Sequence, residues 1–362
     1  MHTAGAQWDM PARLSALALI ALLIIGCGAT HTPESAPRAV SGPTPPVRVV
    51  GTVATGLQAP WGLAFPAFLP DGTAVVSERD TARIVLVAQD SVTQVGLLDD
   101  VVPGGEGGLL GIAYADGWLY AYFTAAADNR VVRMPWTGGA LGAAQPILTG
   151  IPKSAIHNGG RLAFGPDGML YVATGDAATP SSAADPASLA GKILRVAADG
   201  SVPRDNPAPG SPVYSLGHRN VQGLAFDRQG RLWASEFGQS DVDELNLITA
   251  GANYGWPECE GACGRNGYVD PVVQWRPTSI ASPSGIAIVG EYAYVASLRG
   301  RTVWQTPLDG SGEAVRLELG DLGRLRTIDA APDGSLWLST SNTDGRGDPR
   351  DGDDRILRLA VG

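Results

Sequence analysis

Imidazole chemistry has few places to occur in this chain. Its 362 residues include four histidines. His2 and His31 precede any plausible domain, which leaves His157 and His218. His157 lies in Ile156-His157-Asn158-Gly159-Gly160-Arg161-Leu162, a loop running into an apolar strand. Thr174-Gly175-Asp176 closes the next apolar run with a carboxylate. In neighbouring strands these ends lie side by side, and a His held by an Asp is the arrangement of a general base. The same residues read equally well as a structural loop histidine. Gly217-His218-Arg219-Asn220-Val221-Gln222-Gly223 gathers hydrogen-bond donors in one short loop. Ser235-Glu236-Phe237-Gly238-Gln239 and Asp241-Val242-Asp243-Glu244 offer backbone carbonyls and carboxylates, which suit a hard cation such as Ca²⁺; the alternative is a solvated acidic loop. Leu298-Arg299-Gly300-Arg301 and Gly323-Arg324-Leu325-Arg326-Thr327 place arginines at loop ends. Converging, they would grip a polyanion bidentately; apart, they are surface charge. Asp344, Asp348, Asp351, Asp353 and Asp354 read as a solvated loop, with a second Ca²⁺ site as the alternative.

Such loops need a scaffold, and the composition points to a β-rich one. There are 48 Gly and 27 Pro without a collagen period, so turns are abundant. Charged residues are 17% and apolar residues 44%, enough to build a core. The net charge of −10 argues against a nucleic-acid partner. A turn with Gly recurs at residues 72, 117, 168, 230, 290 and 334. Asp116-Gly117-Trp118-Leu119-Tyr120 and Pro166-Asp167-Gly168-Met169-Leu170-Tyr171 are typical copies. Asp-Gly supplies the positive φ of a tight hairpin, and the residues after it alternate as a strand. A short apolar strand precedes each turn: Gly62-Leu63-Ala64-Phe65, Gly111-Ile112-Ala113-Tyr114, Arg161-Leu162-Ala163-Phe164, Gly223-Leu224-Ala225-Phe226, Gly285-Ile286-Ala287-Ile288 and Thr327-Ile328-Asp329-Ala330. Six such units over residues 47–362 predict an all-β, six-bladed β-propeller, with the Arg355–Leu359 run closing the ring on the first strand. Gly104-Gly105-Glu106-Gly107-Gly108-Leu109-Leu110-Gly111 is no dinucleotide fingerprint, because the glycine spacing fails and no helix follows.

Residues 14–25 form an apolar run of signal-peptide length, followed by Ile24-Ile25-Gly26-Cys27, which resembles a bacterial lipobox. Residues 1–27 are therefore expected to be a lipoprotein signal, with Cys27 lipidated, and residues 28–46 a Pro-rich tether. The protein is then exported to the cell envelope, facing the periplasm or outside. In that oxidising setting Cys259 and Cys263 are expected to form a local disulfide, two free thiols being the alternative.

In their order along the chain, Pro60-Trp61-Gly62-Leu63, Gly107-Gly108-Leu109-Leu110-Gly111, His157-Asn158-Gly159-Gly160-Arg161-Leu162 and Leu189-Ala190-Gly191-Lys192-Ile193-Leu194-Arg195 resemble the glucose/sorbosone dehydrogenase family. Gly217-His218-Arg219-Asn220, Gly251-Ala252-Asn253-Tyr254-Gly255-Trp256-Pro257 and Pro283-Ser284-Gly285 extend the resemblance, which runs from about Leu57 to Leu359. These are quinoprotein aldose sugar dehydrogenases that use pyrroloquinoline quinone (PQQ), and their fold is a six-bladed propeller. The resemblance implies that His157 is the base for the sugar C1 hydroxyl and that Asp176 orients it. It implies that Arg219 lies by the quinone C5 oxygen, that Asn220 helps hold PQQ, and that Arg299 faces it. It places Arg324 and Arg326 on PQQ carboxylates, and Ca²⁺ on the carbonyls of Gly238 and Gln239. The substrate would be a sugar or related aldehyde, with electrons leaving to an external cytochrome or quinone acceptor. The chain departs from the pattern at Glu106, where glucose-oxidising relatives have Gln near the cofactor. It departs again at Phe237-Gly238-Gln239, Val221 and Ile156. An ionised Glu106 would repel a PQQ carboxylate unless an arginine offsets it. A Ca²⁺-dependent lactonase on a similar propeller, or a binding propeller without PQQ, are the competing readings.

The anchor has a direct test. Cys27→Ser is expected to move the protein from the membrane fraction to the soluble one. A wild type already soluble, or a variant still bound, would discard the lipobox reading.

Overall fold

The computed structural model describes residues 44–362. The expected signal segment with Cys27, and the tether up to residue 43, lie outside the described residues. Six four-stranded antiparallel sheets follow one another as blades. The innermost strands are Pro60–Ala64, Leu109–Ala115, Leu162–Phe164, Val221–Phe226, Pro283–Val289 and Leu325–Ala330. Each inner strand leads through one of the six glycine turns to the second strand of its blade. At Asp116 and Gly117 both φ values are positive, 48° and 80°, the pairing that a two-residue hairpin turn requires. Successive inner strands touch, and the last touches the first. Closure comes from Val47–Ala54, which pairs antiparallel with Ile356–Val361 from Val47↔Val361 to Ala54↔Ile356. The last blade is thus built from both ends of the described chain.

The core is not central. It is six separate apolar clusters, each between two neighbouring blades. The second residue of each inner-strand repeat enters one of them: Leu63, Ile112, Leu162, Leu224, Ile286 and Ile328 are all buried. The first residue of the repeat faces a tighter constraint. At Gly62, Gly111, Gly223 and Gly285 an added Cβ would overlap backbone of the next inner strand. At the two equivalent positions without glycine, the side chains fill the axis instead. Thr327 donates to the Trp61 carbonyl. Arg161 reaches across the channel, from Nε to the Gln222 carbonyl (2.9 Å) and from a terminal nitrogen to Thr327 Oγ1 (3.1 Å). Its guanidinium lies 4.3 Å from the Trp61 ring centre, and burial lowers its pKa to about 10. The third residue of the repeat is Ala in five copies and Asp329 in the sixth. Burial raises the Asp329 carboxyl to about 6, with Arg161 opposing the rise.

Part of the C-terminal acidic stretch is not the solvated loop expected of it. Asp348 and Asp351 are exposed, but Asp344, Asp353 and Asp354 are buried. Asp354 accepts Thr340 Oγ1 (2.8 Å) and the Asn342 amide (2.6 Å), and Asp353 accepts Asn342 Nδ2 (3.0 Å). The cause is the tightly turned connection into the closing strand, whose amides need internal acceptors.

Gly111→Ala is expected to cost about 1–3 kcal/mol, because the methyl has only the Gly160 carbonyl and Leu162 amide to displace. Urea unfolding would read this against Gly51→Ala, where no atom lies within 4 Å of the new Cβ. Equal midpoints for the two variants would refute the close-approach argument.

Candidate active site

The functional mouth is the end where inner strands begin and second strands finish. It opens into a cavity of about 670 Å³. Of the residues singled out from the sequence, Glu106, His157, Arg219, Gly238, Gln239, Arg299 and Arg324 line it. Asp176, Asn220 and Arg326 stand behind that lining.

His157 is held at every polar atom of its backbone turn and ring. Its amide donates to Glu106 Oε2 (2.8 Å) and its carbonyl accepts the Ala177 amide (3.1 Å). Nδ1 lies 2.7 Å from Asp176 Oδ1, and Nε2 lies 2.9 Å from a terminal nitrogen of Arg219. A guanidinium only donates, so Nε2 must accept, and the ring hydrogen is on Nδ1, pointing at Asp176. Asp176 is fully buried and also accepts the Ala178 amide (2.9 Å) and Trp256 Nε1 (2.8 Å). Glycine makes the approach possible: a Cβ at Gly175 would run into the His157 carbonyl, and one at Gly159 into Thr174.

Arg219 joins this pair to the next blade. Asp176 donates its amide to the Arg219 carbonyl (2.8 Å), and the Arg219 amide donates to Glu236 Oε1. The guanidinium donates to the carbonyls of Gly238 (2.6 Å) and Phe237 (3.2 Å), while its buried Nε has no partner. Burial lowers the Arg219 pKa, against the pull of Asp176 and Glu236. His218 does not reach the cavity. It is fully buried, stacked on Tyr254, and bonded to Ser215 Oγ and Glu236 Oε2 (both 2.8 Å), so it braces the loop that carries Arg219. Asn220 Oδ1 accepts the Gly159 amide (3.1 Å), and its buried Nδ2 is without a partner.

The arginines are only partly free. Arg324 binds Asp344 Oδ2 through two nitrogens (3.1 and 3.0 Å). Burial alone would raise the Asp344 carboxyl, but Arg326 and Arg324 hold it below the ordinary range. Arg326 sits deeper, beside Trp61, with a nitrogen 3.2 Å from Gln222 Oε1, and burial lowers it to about 9. Arg299 makes one long bond, 3.4 Å to Thr278 Oγ1. Glu106 is offset by Arg346, 2.9 Å away.

The loop carrying Gly238 and Gln239 is shaped by Glu260. One of its oxygens accepts the amides of Gln239 (2.7 Å), Ser240 (2.7 Å), Asp241 (2.8 Å) and Val242 (3.1 Å). Burial would raise this carboxyl, but those four amides bring it below its usual value. Of the neighbouring acidic run, read as cation-binding material or else as a solvated loop, Asp241 is exposed but Asp243 and Glu244 are buried. Asp243 is buried, accepts the amides of Gly238 (2.9 Å) and Ser282 (2.7 Å), and is raised to about 6 by burial. Glu244 is raised by burial and by Glu236. Among the described residues no three acidic, His or Cys side chains could together hold a metal, so a cation here would depend on carbonyls. Cys259 and Cys263 form a disulfide beside this loop.

Residues 57–357 match the family described as Glucose / Sorbosone dehydrogenase. The chain belongs to that family. This dehydrogenase is 51% identical to the aldose sugar dehydrogenase of Streptomyces coelicolor, whose structure was solved in a PQQ-bound form. The superposition has a TM-score of 0.84 and covers 89% of this chain and all of that one. It is 27% identical to the aldose sugar dehydrogenase YliI of Escherichia coli over 80% of this chain and 89% of the relative. It is 34% identical to quinoprotein glucose dehydrogenase B of Acinetobacter calcoaceticus, over 55% and 51%.

Sequence reasoning missed several residues of the dehydrogenase site. Arg79 donates to the Asp344 carbonyl (3.1 Å), and Arg346, Asp344, Gln222 and Glu260 hold the groups named above. A signal for Arg79 existed: it lies seven residues after the turn glycine Gly72, as Phe237 does after Gly230. Asp344 and Glu260 had none, since each acts on a partner far from it in its own repeat.

Glu260→Ala would leave four amides without their acceptor. Hydrogen exchange of residues 239–242 is expected to quicken at least about 10-fold, the equivalent of one lost bond. Unchanged exchange there would show that Glu260 does not organise the loop.

Proposed function

We propose that this chain is a PQQ- and Ca²⁺-dependent dehydrogenase that oxidises C1 of aldose sugars or related aldehydes and passes the electrons to an external acceptor. The observation that carries this reading is the His157 imidazole, tied through Nδ1 to buried Asp176, with Nε2 at an arginine-lined cavity. The residues fit the cofactor. PQQ bears three carboxylates, and Arg219, Arg299, Arg301, Arg324 and Arg346 line the cavity. The unpartnered Arg219 Nε and the loosely held Arg299 are donors with capacity to spare. Arg326 would act one layer back, through Gln222 and Asp344. The offset of Glu106 by Arg346 answers the repulsion that its charge would otherwise cause. For Ca²⁺, the carbonyls of Gly238 and Gln239 would be the donors, with Glu260 taking the amide hydrogens of their loop, and Arg219 would have to leave the Gly238 carbonyl for the ion to bind there.

When bound, PQQ would be held by the cavity arginines and would supply a two-electron hydride acceptor, with Ca²⁺ supplying Lewis-acid polarisation of it. With Asp176 holding the ring hydrogen on Nδ1, His157 Nε2 takes the proton of the C1 hydroxyl once Arg219 gives up its bond to that nitrogen. Arg219 places positive charge beside both the base and the metal's carbonyls. The substrate loses a hydride from C1 and a proton from its hydroxyl, two electrons and two protons in all, and a cyclic aldose leaves as a lactone. A lactonase would instead need side chains converging on one metal, and the cavity is lined by arginines. On the same reading the enzyme is carried at the cell envelope by lipid on Cys27.

Single-turnover reduction of the reconstituted protein by sugars tests this. His157→Ala is expected to slow it about 10² to 10⁴-fold. PQQ binding should survive, because other residues hold it. Arg324→Ala should raise the PQQ titration midpoint in excess Ca²⁺ about 5-fold or more. A wild-type rate in the first variant removes the base, and an unmoved midpoint in the second removes the arginine cradle.

A further inference from the structure

The Gly251–Pro257 loop is held rigidly against the loop that carries Arg219. Gly251 donates to the Tyr214 carbonyl (2.7 Å), Tyr254 to Leu216 (2.9 Å) and Trp256 to Gly217 (2.9 Å). A side chain at Gly217 would strike Asn253 Oδ1, so the two segments are in direct backbone contact. This fixes the Trp256 indole, whose Nε1 donates to Asp176 Oδ2 at 2.8 Å across 80 residues of sequence. Asp176 therefore has both oxygens engaged on opposite duties. Oδ1 holds His157 Nδ1 and the Ala178 amide, and Oδ2 holds the indole. An indole N–H can only donate, so Oδ2 must accept it, and the bond resists rotation of the carboxyl group. The same ring lies under the Arg219 guanidinium, 5.5 Å from its centre.

We propose that Trp256 is a positioning residue for the reaction: its indole N–H locks the Asp176 carboxylate in the orientation that holds His157 Nδ1–H, and its ring face supports Arg219. The proposal rests on the reading of His157 as the base. Without the indole, Oδ2 would be a buried oxygen lacking its donor, and the carboxylate would turn to find another.

Trp256→Phe keeps the ring and removes the donor. The expected result is a kcat about 10-fold or more lower, the size of one lost hydrogen bond to a charged group. The sugar KM and the PQQ titration midpoint should stay within about 2-fold, since the packing under Arg219 is retained. In protein without substrate, the proton resonance of His157 Nδ1–H should move. Asp176→Asn reads the same bond from the other side: the Trp256 indole proton should shift and exchange faster with solvent. The double variant should be no slower than Asp176→Asn alone, because the indole then has no carboxylate to orient. A wild-type kcat with an unmoved imidazole resonance, or fully additive losses, would overturn the proposal. Failure of the base reading looks different. His157→Ala would keep the wild-type rate while the Trp256 and Asp176 resonances still respond to each other's substitution, and the proposal would then fall as a statement about rate.

Discussion

The ring exists because its ends meet. Pairing of Val47–Ala54 with Ile356–Val361 leaves no blade without a neighbour on either side. That matters because the apolar clusters lie between blades, so a missing partner would expose one whole cluster rather than a few side chains. The catalytic mouth inherits this constraint. Glu106, His157, Arg219 and Arg324 sit on four different blade connections and Arg299 on a turn within the fifth blade, and only a closed ring brings them around one cavity.

Within that ring the site works against the charge of the whole protein. A chain of net charge −10 concentrates arginine at one mouth and sets carboxylates beside most of them, Arg299 being bonded to Thr278 instead. Asp344 serves Arg324 and Arg326, Glu106 serves Arg346, and Glu236 serves Arg219 through its backbone. The arrangement limits self-repulsion among buried guanidinium groups while leaving donors such as Arg219 Nε uncommitted. Little solvent reaches the base of this cluster, where Arg326 is buried, and that burial lowers its pKa to about 9.

Much of the architecture was legible because the repeat is periodic and its turns have a strict conformational demand. The six glycine turns and the alternating strands after them gave blade number, strand order and closure. His157 and Asp176 were legible as a pair because they bracket one hairpin. Other contacts arise between blades, where sequence spacing carries no signal. Asp344 looked like one more acid in a polar loop, yet its partners lie just before the inner strand of its own blade and in the first blade. Asp243 was read as part of a cation-binding stretch or else of a solvated loop, but its amide partners Gly238 and Ser282 draw it inward. Trp256 stood in a recognised motif whose purpose depends on a carboxylate in the preceding blade.

Arg161 spans the channel from the third blade to the fourth and sixth and lies against Trp61, so the axis behind the candidate site carries a buried cation. On the proposed reading, sugar, product and acceptor would share the mouth lined by Glu106, His157 and the arginines. Sharing it in turn would give a ping-pong pattern, with parallel double-reciprocal lines.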